Sequence, residues 1–238
     1  MDEVEQVLPV LGFILIAALV IIAVYYGHLA AKKRREELAA LAQELGWSFD
    51  PDTDTSHDEE YAHFEIFRRG HSRAAYNTLF GSLTIDGRPY PAKMGDFTYK
   101  ITTSNGKTTT THTYNFSYLI VHLPFRGIPD LLIRREGFMD KIAGALGFDD
   151  IDFESAEFSK RFHVKCSEKR FAYDVIHPRM MEFLMQTCPT AIDIERCRCS
   201  LSNGSNRWET QEFKAMLAWV DRFFDQWPDH VINQLEQP

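Results

Sequence analysis

The chain has 238 residues, a formal net charge of −8, 45% hydrophobic and 25% charged residues. That length allows one large or two small domains, and the composition is apolar enough for a real core and too apolar for disorder. An acidic balance with one local cluster of Lys and Arg argues against nucleic acid as a partner, since phosphate affinity rests on clustered cations.

From Gln6 to Ala31 there is no Asp, Glu, Lys or Arg. The stretch Val7 to Tyr26 is almost wholly apolar and, as a helix, spans about 30 Å, the thickness of a bilayer core. It has no polar stripe, so it reads as a spanning helix rather than a buried globular one, with Tyr25 and Tyr26 suited to the interfacial belt. Asp2, Glu3 and Glu5 stand where a signal peptide carries basic residues, and no small-residue cleavage site ends the run, so the segment reads as a retained single-pass anchor. All the nearby positive charge follows the helix, at Lys32, Lys33, Arg34 and Arg35. The bias of Lys and Arg then predicts a cell-membrane protein with its N-terminus outside and residues 32–238 in the cytoplasm. The same four residues are expected at the membrane surface, beside anionic headgroups of the lipid bilayer.

Three regions follow. Residues 1–31 are the tail and transmembrane helix. Residues 32–46 are a basic cluster and helical stalk, in which Leu38, Leu41, Ala42 and Leu45 keep helical spacing until Gly46, a natural helix stop. Residues 47–238 form the cytoplasmic domain. Asp50 to Glu60 is polar and acidic and is expected as a solvated loop. Strand signals dominate from Tyr76 to Arg135, with turns at Asp86-Gly87 and at Ser104-Asn105-Gly106-Lys107. Asn105 and Gly106 at a two-residue tip pair Thr103 with Thr108, Ile101 with Thr110, Tyr99 with His112 and Phe97 with Tyr114. One face then gathers Phe97, Tyr99, Tyr114, Phe116, Tyr118 and Ile120.

Further on, the reading predicts a strand at Leu131–Ile133, a helix over Phe138–Leu146 and a strand over Phe162–Cys166. It then predicts a helix capped by Ser167 through Val175 and another opened by Pro178 through Gln186. Ala191–Leu201 and Asn206–Trp208 suggest a hairpin around Ser202-Asn203-Gly204-Ser205. Phe213, Leu217, Val220, Phe224 and Trp227 form one helical stripe ending at Pro228, opposite Lys214, Asp221 and Arg222, so the helix is expected to bury that face and cover the sheet. The class is α+β, with a mostly antiparallel sheet and packed helices behind an N-terminal transmembrane helix.

Gly46-Trp47, GHSRAAYNTLFG (70–81), the hairpin FTYKITTSNGKTTTTHTYNFSYLIVHLP (97–124) and FESAEFSKRFHVKCSEKRFAYDVIHPRMMEFL (153–184) resemble an uncharacterised family of bacterial single-pass membrane-anchored proteins. The resemblance covers most of the part after the anchor. It implies a bacterial, membrane-bound protein and carries over no catalytic or binding residue.

Motifs of chemistry fail one by one. Asp50, Asp52 and Asp54 have the opening spacing of a calcium loop, but its Gly position holds Thr55 and its final Glu position Tyr61. Gly106-Lys107-Thr108 lacks the Gly that a phosphate loop needs at Ile101. Neither Gly-x-Ser-x-Gly nor His-Glu-x-x-His occurs. Cytoplasmic placement makes Cys166, Cys188, Cys197 and Cys199 free thiols. Cys197 and Cys199, on one face of a strand about 6.5–7 Å apart, could hold part of a metal site with Cys188 and either His163 or His177. Packing is the commoner use of such cysteines. His112 and His122 lie about 33 Å apart along a strand and act independently. His177 suits a turn hydrogen bond, and Met180, Met181 and Met185 suit core filling.

The function this supports is a membrane-tethered interaction or scaffold module, non-enzymatic and without a cofactor, for a protein partner, with a homo-oligomer left open. Phe213, Leu217, Val220, Phe224 and Trp227 form its partner surface if the stripe is exposed. The alternatives are a membrane-anchored, metal-assisted hydrolase using Cys197 and Cys199, and a lipid or peptide module resembling pleckstrin-homology architecture at the level of fold.

Overall fold

The computed structural model describes residues 2–85, 87–125, 127–135, 149–188 and 191–236, with side chains from Phe13 onward. The helix expected over Phe138–Leu146 and Asp86 of the expected turn lie outside them. Helix α1 (Asp2–Leu45) is continuous, and from Phe13 it is long and apolar enough to cross a membrane. Phe13 to Leu29 offer their apolar side chains to the surroundings rather than to the rest of the chain, with Phe13 80% exposed. The helix stops where Gly46 takes φ +69°. There the Trp47 N–H reaches the Ala42 carbonyl (2.8 Å) and the Gly46 N–H that of Gln43 (3.2 Å), so the last carbonyls are satisfied.

After α1 come β1 (Ser48–Asp50), α2 (His57–Glu60), a 3-10 turn (Glu65–Arg68), β2 (His71–Ile85), β3 (Arg88–Ser104), β4 (Thr109–His122) and β5 (Leu131–Arg135). Then follow α3 (Ala156–Arg161), β6 (Phe162–Cys166), α4 (Lys169–Val175), α5 (Pro178–Thr187), β7 (Ala191–Glu195), β8 (Arg198–Ser202), α6 (Thr210–Asp225) and α7 (Asp229–Glu236). The strands make one eight-stranded sheet in the order β1-β2-β3-β4-β8-β7-β5-β6, antiparallel at every pairing, so the fold is α+β.

Register explains the two faces. Leu79, Met94, Leu119, Leu201, Ile192, Ile133 and Val164 are cross-strand neighbours in one line from β2 to β6. All are buried in the main core with Phe158, Met180, Phe213, Leu217, Val220 and Phe223 of the helices. The next row, Phe80, Lys93, Ile120, Ser200, Asp193, Leu132 and Lys165, turns polar and points the other way. Half of that second face is covered by Tyr61, Phe64 and Phe67, which pack on Phe97, Tyr99, Phe116, Tyr118 and Ile120.

Several expectations are corrected. The β3–β4 tip is a four-residue loop: Ser104 faces Thr109, Tyr99 faces Tyr114 and Phe97 faces Phe116. Asn105 is the cause, since its side-chain oxygen accepts from the N–H of Lys107 (3.1 Å) and Thr108 (2.8 Å), drawing both into the turn. The shift is two residues, so each side chain keeps the face the pattern assigned. The last hairpin is β7–β8, not one around Ser202–Ser205. Its two turn residues, Arg196 and Cys197, sit at φ +49° and +58°, a left-handed pair formed without Asn-Gly. The 32–46 segment is no separate stalk, because Leu38, Leu41 and Ala42 belong to the main core. Asp50–Glu60 is not a free loop: Asp54 bridges to Ala75 and His57 is fully buried. Ser167 accepts from the Asp130 N–H, and Glu168 holds the cap position of α4.

The stripe Phe213, Leu217, Val220, Phe224 and Trp227 is buried against the sheet, each residue 7% exposed or less, so it is core and not a partner surface. Leu217→Ala should therefore cost about 2–5 kcal/mol in a denaturant melt of the detergent-solubilised chain.

Candidate functional site

The site begins one turn beyond the apolar span, where α1 carries Arg34. Its guanidinium clamps Asp96 of β3 through two bonds, Nε to Oδ2 (3.1 Å) and Nη2 to Oδ1 (2.8 Å). Asp96 is fully buried, and its carboxylate also accepts from Ser117 Oγ (2.7 Å) and Asn77 Nδ2 (3.3 Å). Ser117 Oγ in turn accepts from the Trp208 N–H (2.9 Å), and the guanidinium lies over the Phe213 ring (5.6 Å). Asn77 reaches the site through the irregularity of β2 between Tyr76 and Leu79, where it takes φ +52°. Burial opposes the charge on Arg34, but the hydrogen bonds and charge of Asp96 outweigh it and hold the guanidinium pKa above its ordinary value. Arg34 is thus a core residue rather than a membrane-surface cation, whereas Lys32 and Lys33 stay exposed beside Glu36 and Glu37. Arg35 is exposed too.

A second cluster lies on the opposite face. His57 is fully buried against Tyr61, Phe67, Phe97 and Tyr118, at ring-centroid distances of 4.7, 4.6, 5.5 and 4.7 Å. Neither ring nitrogen has a hydrogen-bond partner among the described residues. Burial, with Lys93 adding to it, pushes its pKa down to about 3. Lys93 itself is held by Asp54 (3.6 Å) and Glu60 (3.5 Å) and stands over Tyr61 (5.1 Å) and Phe80 (5.5 Å). Farther across the same face, Asp193 and Glu195 project from β7 side by side. Burial, reinforced by Asp130, raises Glu195 to about 7, and burial with the Glu195 charge raises Asp193 as well. The two carboxyls can share a proton near neutrality.

A third feature is an open groove of about 790 Å³ between the segment before α3 and the helices α4 and α5. Phe153, Ile176, Pro178, Met181 and Met185 make its apolar floor, and Asp152, Glu154 and Glu182 stand exposed at its rim. His177 fixes one wall: Nδ1 accepts from the Met180 N–H (3.4 Å) and Nε2–H donates to the Gln226 carbonyl (2.9 Å), joining the start of α5 to the end of α6. Phe153, Glu154 and Ser155 thus meet His177, Pro178 and Met181, about twenty-five positions on, around one groove.

The chain matches no protein-family model and no curated protein sequence. Among solved structures it is similar to the crystal structure of the mycobacterial trehalose monomycolate transport factor A, TtfA, with a TM-score of 0.56. The match covers 82% of this chain and 96% of that one at 9% identity. A likeness at that identity is one of fold.

Cys166, Cys188 and Cys199 are buried in the main core, and Cys197 packs against it from the β7–β8 turn, so Cys197 and Cys199 do not share a strand face as expected. Burial raises the thiol of Cys166 to about 11 and that of Cys199 higher still, which keeps both protonated. Among the described residues no three His, Cys, Asp or Glu side chains stand together as a metal site. Periodicity identified the core stripe, but no linear signal joined Arg34 to Asp96, 62 positions away.

Two outcomes follow. Arg34→Ala should destabilise the detergent-solubilised chain by about 3–5 kcal/mol, because Asp96 is left charged and buried, while Arg34→Met with Asp96→Leu should recover most of that in a thermal melt. His57 takes a proton near pH 6.5 when unfolded but only near 3 when folded, so stability falls as pH drops through that window. His57→Phe should flatten the decline, which reaches about 1.4 kcal/mol per pH unit, in melts recorded from pH 7 to 4.

Proposed function

We propose that the chain is a non-enzymatic, single-pass membrane-tethered interaction module, with its N-terminus outside and its α+β domain in the cytoplasm. The observation that carries this reading is the direct insertion of the apolar helix into the domain core through Arg34 and Leu38, which leaves no flexible linker between anchor and sheet. A domain held that way is presented at a set height and tilt, as a scaffold needs and a freely diffusing enzyme does not. The fold likeness to a trehalose monomycolate transport factor is compatible with such a role. Lys32, Lys33 and Arg35 supply the orientation through the Lys and Arg bias. The partner surface is the groove of Phe153, Met181 and Met185, whose acidic rim of Asp152, Glu154 and Glu182 fits a partner segment with an apolar anchor flanked by basic residues. Met185 and Met181 can repack around such an anchor.

The test is photo-crosslinking of the full chain in its native membrane. A crosslinker in place of Tyr173, which lines the groove and is exposed, should capture a discrete partner, and Glu154→Lys with Glu182→Lys should abolish capture without changing the melting temperature, since both glutamate side chains are exposed. Capture that survives both reversals would overturn the groove. A reporter fused after Pro238 should be active only in the cytoplasm, and neutralising Lys32, Lys33 and Arg35 while keeping Arg34 should mix the orientations.

A further inference from the structure

The β3–β4 ribbon outruns the sheet that carries it. β2 pairs with β3 no farther than Lys100, and β8 pairs with β4 only from Tyr118 to His122. β3 and β4 nevertheless stay paired as far as Ser104 and Thr109. Residues 102–115 are exposed. An isolated two-stranded ribbon is marginal in water, so one this long calls for something to lie against.

Its direction is set by α1. Trp47, just past the C-terminal end of the helix, packs on Gly81, where an added Cβ would meet the indole at 2.2 Å, and Gly81 faces Ala92. Arg34, nearer the apolar span, meets Asp96 and Ser117. From Ala92 to Asp96, β3 therefore runs back along the helix toward the membrane-spanning segment, and its continuation carries the ribbon the same way. From Asp96 to Ser104 the strand covers about 26 Å. The last residue of the uncharged stretch, Ala31, is only about one turn, ~5 Å, from Arg34 along the helix. A headgroup layer is about 5–8 Å thick. Even a ribbon inclined by about 60° advances ~13 Å and enters that layer.

The chemistry of the ribbon fits the place. In a chain with 34 acids, no Asp or Glu occurs between Asp96 and Asp130. Lys100 and Lys107 are exposed and make no ion pair among the described residues, and Thr108 to Thr111 line one arm with hydroxyls. Arg207 is exposed at the same end, on the loop whose Asn206 carbonyl accepts from the Ser117 N–H (3.1 Å).

We propose that the β3–β4 ribbon docks on the headgroup layer of the bilayer that α1 enters, taking the phosphates of anionic lipid on Lys100, Lys107 and the threonine hydroxyls. It rests on the reading of α1 as a spanning helix and adds a second membrane contact, so that anchor and ribbon together set the tilt of the domain and the height of the groove.

The test uses the full chain with Cys197→Ser, the other cysteines being buried, and one fluorophore on Thr110→Cys or, at the far end of the β2–β3 pair, on the exposed Thr84→Cys. The protein is reconstituted in phosphatidylcholine vesicles with or without phosphatidylglycerol and a headgroup-nitroxide quencher. Quenching at position 110 should exceed that at 84 several-fold in phosphatidylglycerol vesicles and should drop when phosphatidylglycerol is omitted or Lys100→Gln and Lys107→Gln are introduced. Equal quenching at both positions, in protein that resists an alkaline carbonate wash, would overturn the ribbon contact and leave the anchor intact. Protein stripped by the wash would overturn the spanning helix and the ribbon contact with it. Shielding of position 110 in native membranes, without quenching in phosphatidylglycerol vesicles, would replace lipid by a membrane protein and overturn the proposal.

Discussion

The bidentate bond between Arg34 and Asp96 joins the long apolar helix to the α+β domain. A carboxylate in a sheet and a guanidinium on a helix are each expensive to bury, and their attraction repays the cost only when the remaining lone pairs are satisfied. Here Ser117 and Asn77 complete the carboxylate, and the Trp208 N–H completes Ser117. The planar fork of Arg matches this arrangement in a way the point charge of Lys does not. Because both ions lose too much if the pair breaks, α1 has one register on the sheet. That register sends Leu38 and Leu41 into the core, seats Trp47 on Gly81 and aims β3 along the helix.

The sheet carries unequal burdens on its two faces. One presents an unbroken apolar row to the helices packed on it, the end of α1 among them, and supplies most of the hydrophobic driving force. The other is a smaller aromatic patch under the 54–69 segment, continued by polar residues. On that second face the costs are visible: a histidine with both nitrogens unpartnered, a lysine enclosed by two acids, and a pair of carboxyls with raised pKa values. Their pH signs oppose. The depressed histidine weakens the fold as pH falls, whereas the raised carboxyl of Glu195, protonated longer in the folded state than in the unfolded, weakens it as pH rises toward about 7.

Legibility followed the range of the forces. The long apolar helix, the Gly46 stop, the strand parity of 97–120 and the C-terminal stripe were all readable, because each rests on a repeat within a few residues or on a single backbone preference. The β3–β4 register was off by two, because Asn105 formed its own side-chain turn in place of a two-residue tip. The β7–β8 turn was missed, since Arg196 and Cys197 adopt left-handed geometry without the residues that usually announce it. The solvated reading of Asp50–Glu60 failed at His57, whose burial depends on aromatic rings from β3 and β4.

By itself the sequence determined that a long apolar helix precedes an α+β domain, which side of that helix carries the cations, and which residues of each element are apolar. Hydropathy, charge and periodicity are properties of neighbours along the chain, so they survive without a fold. Only the tertiary structure decided that Arg34 leaves the cationic cluster for Asp96, and that Phe153, Glu154 and Ser155 border one groove with His177, Pro178 and Met181. Each of these depends on which distant groups share a low-dielectric interior, and there the cost of an unpaired charge or an exposed apolar face is settled by contacts that no local pattern encodes.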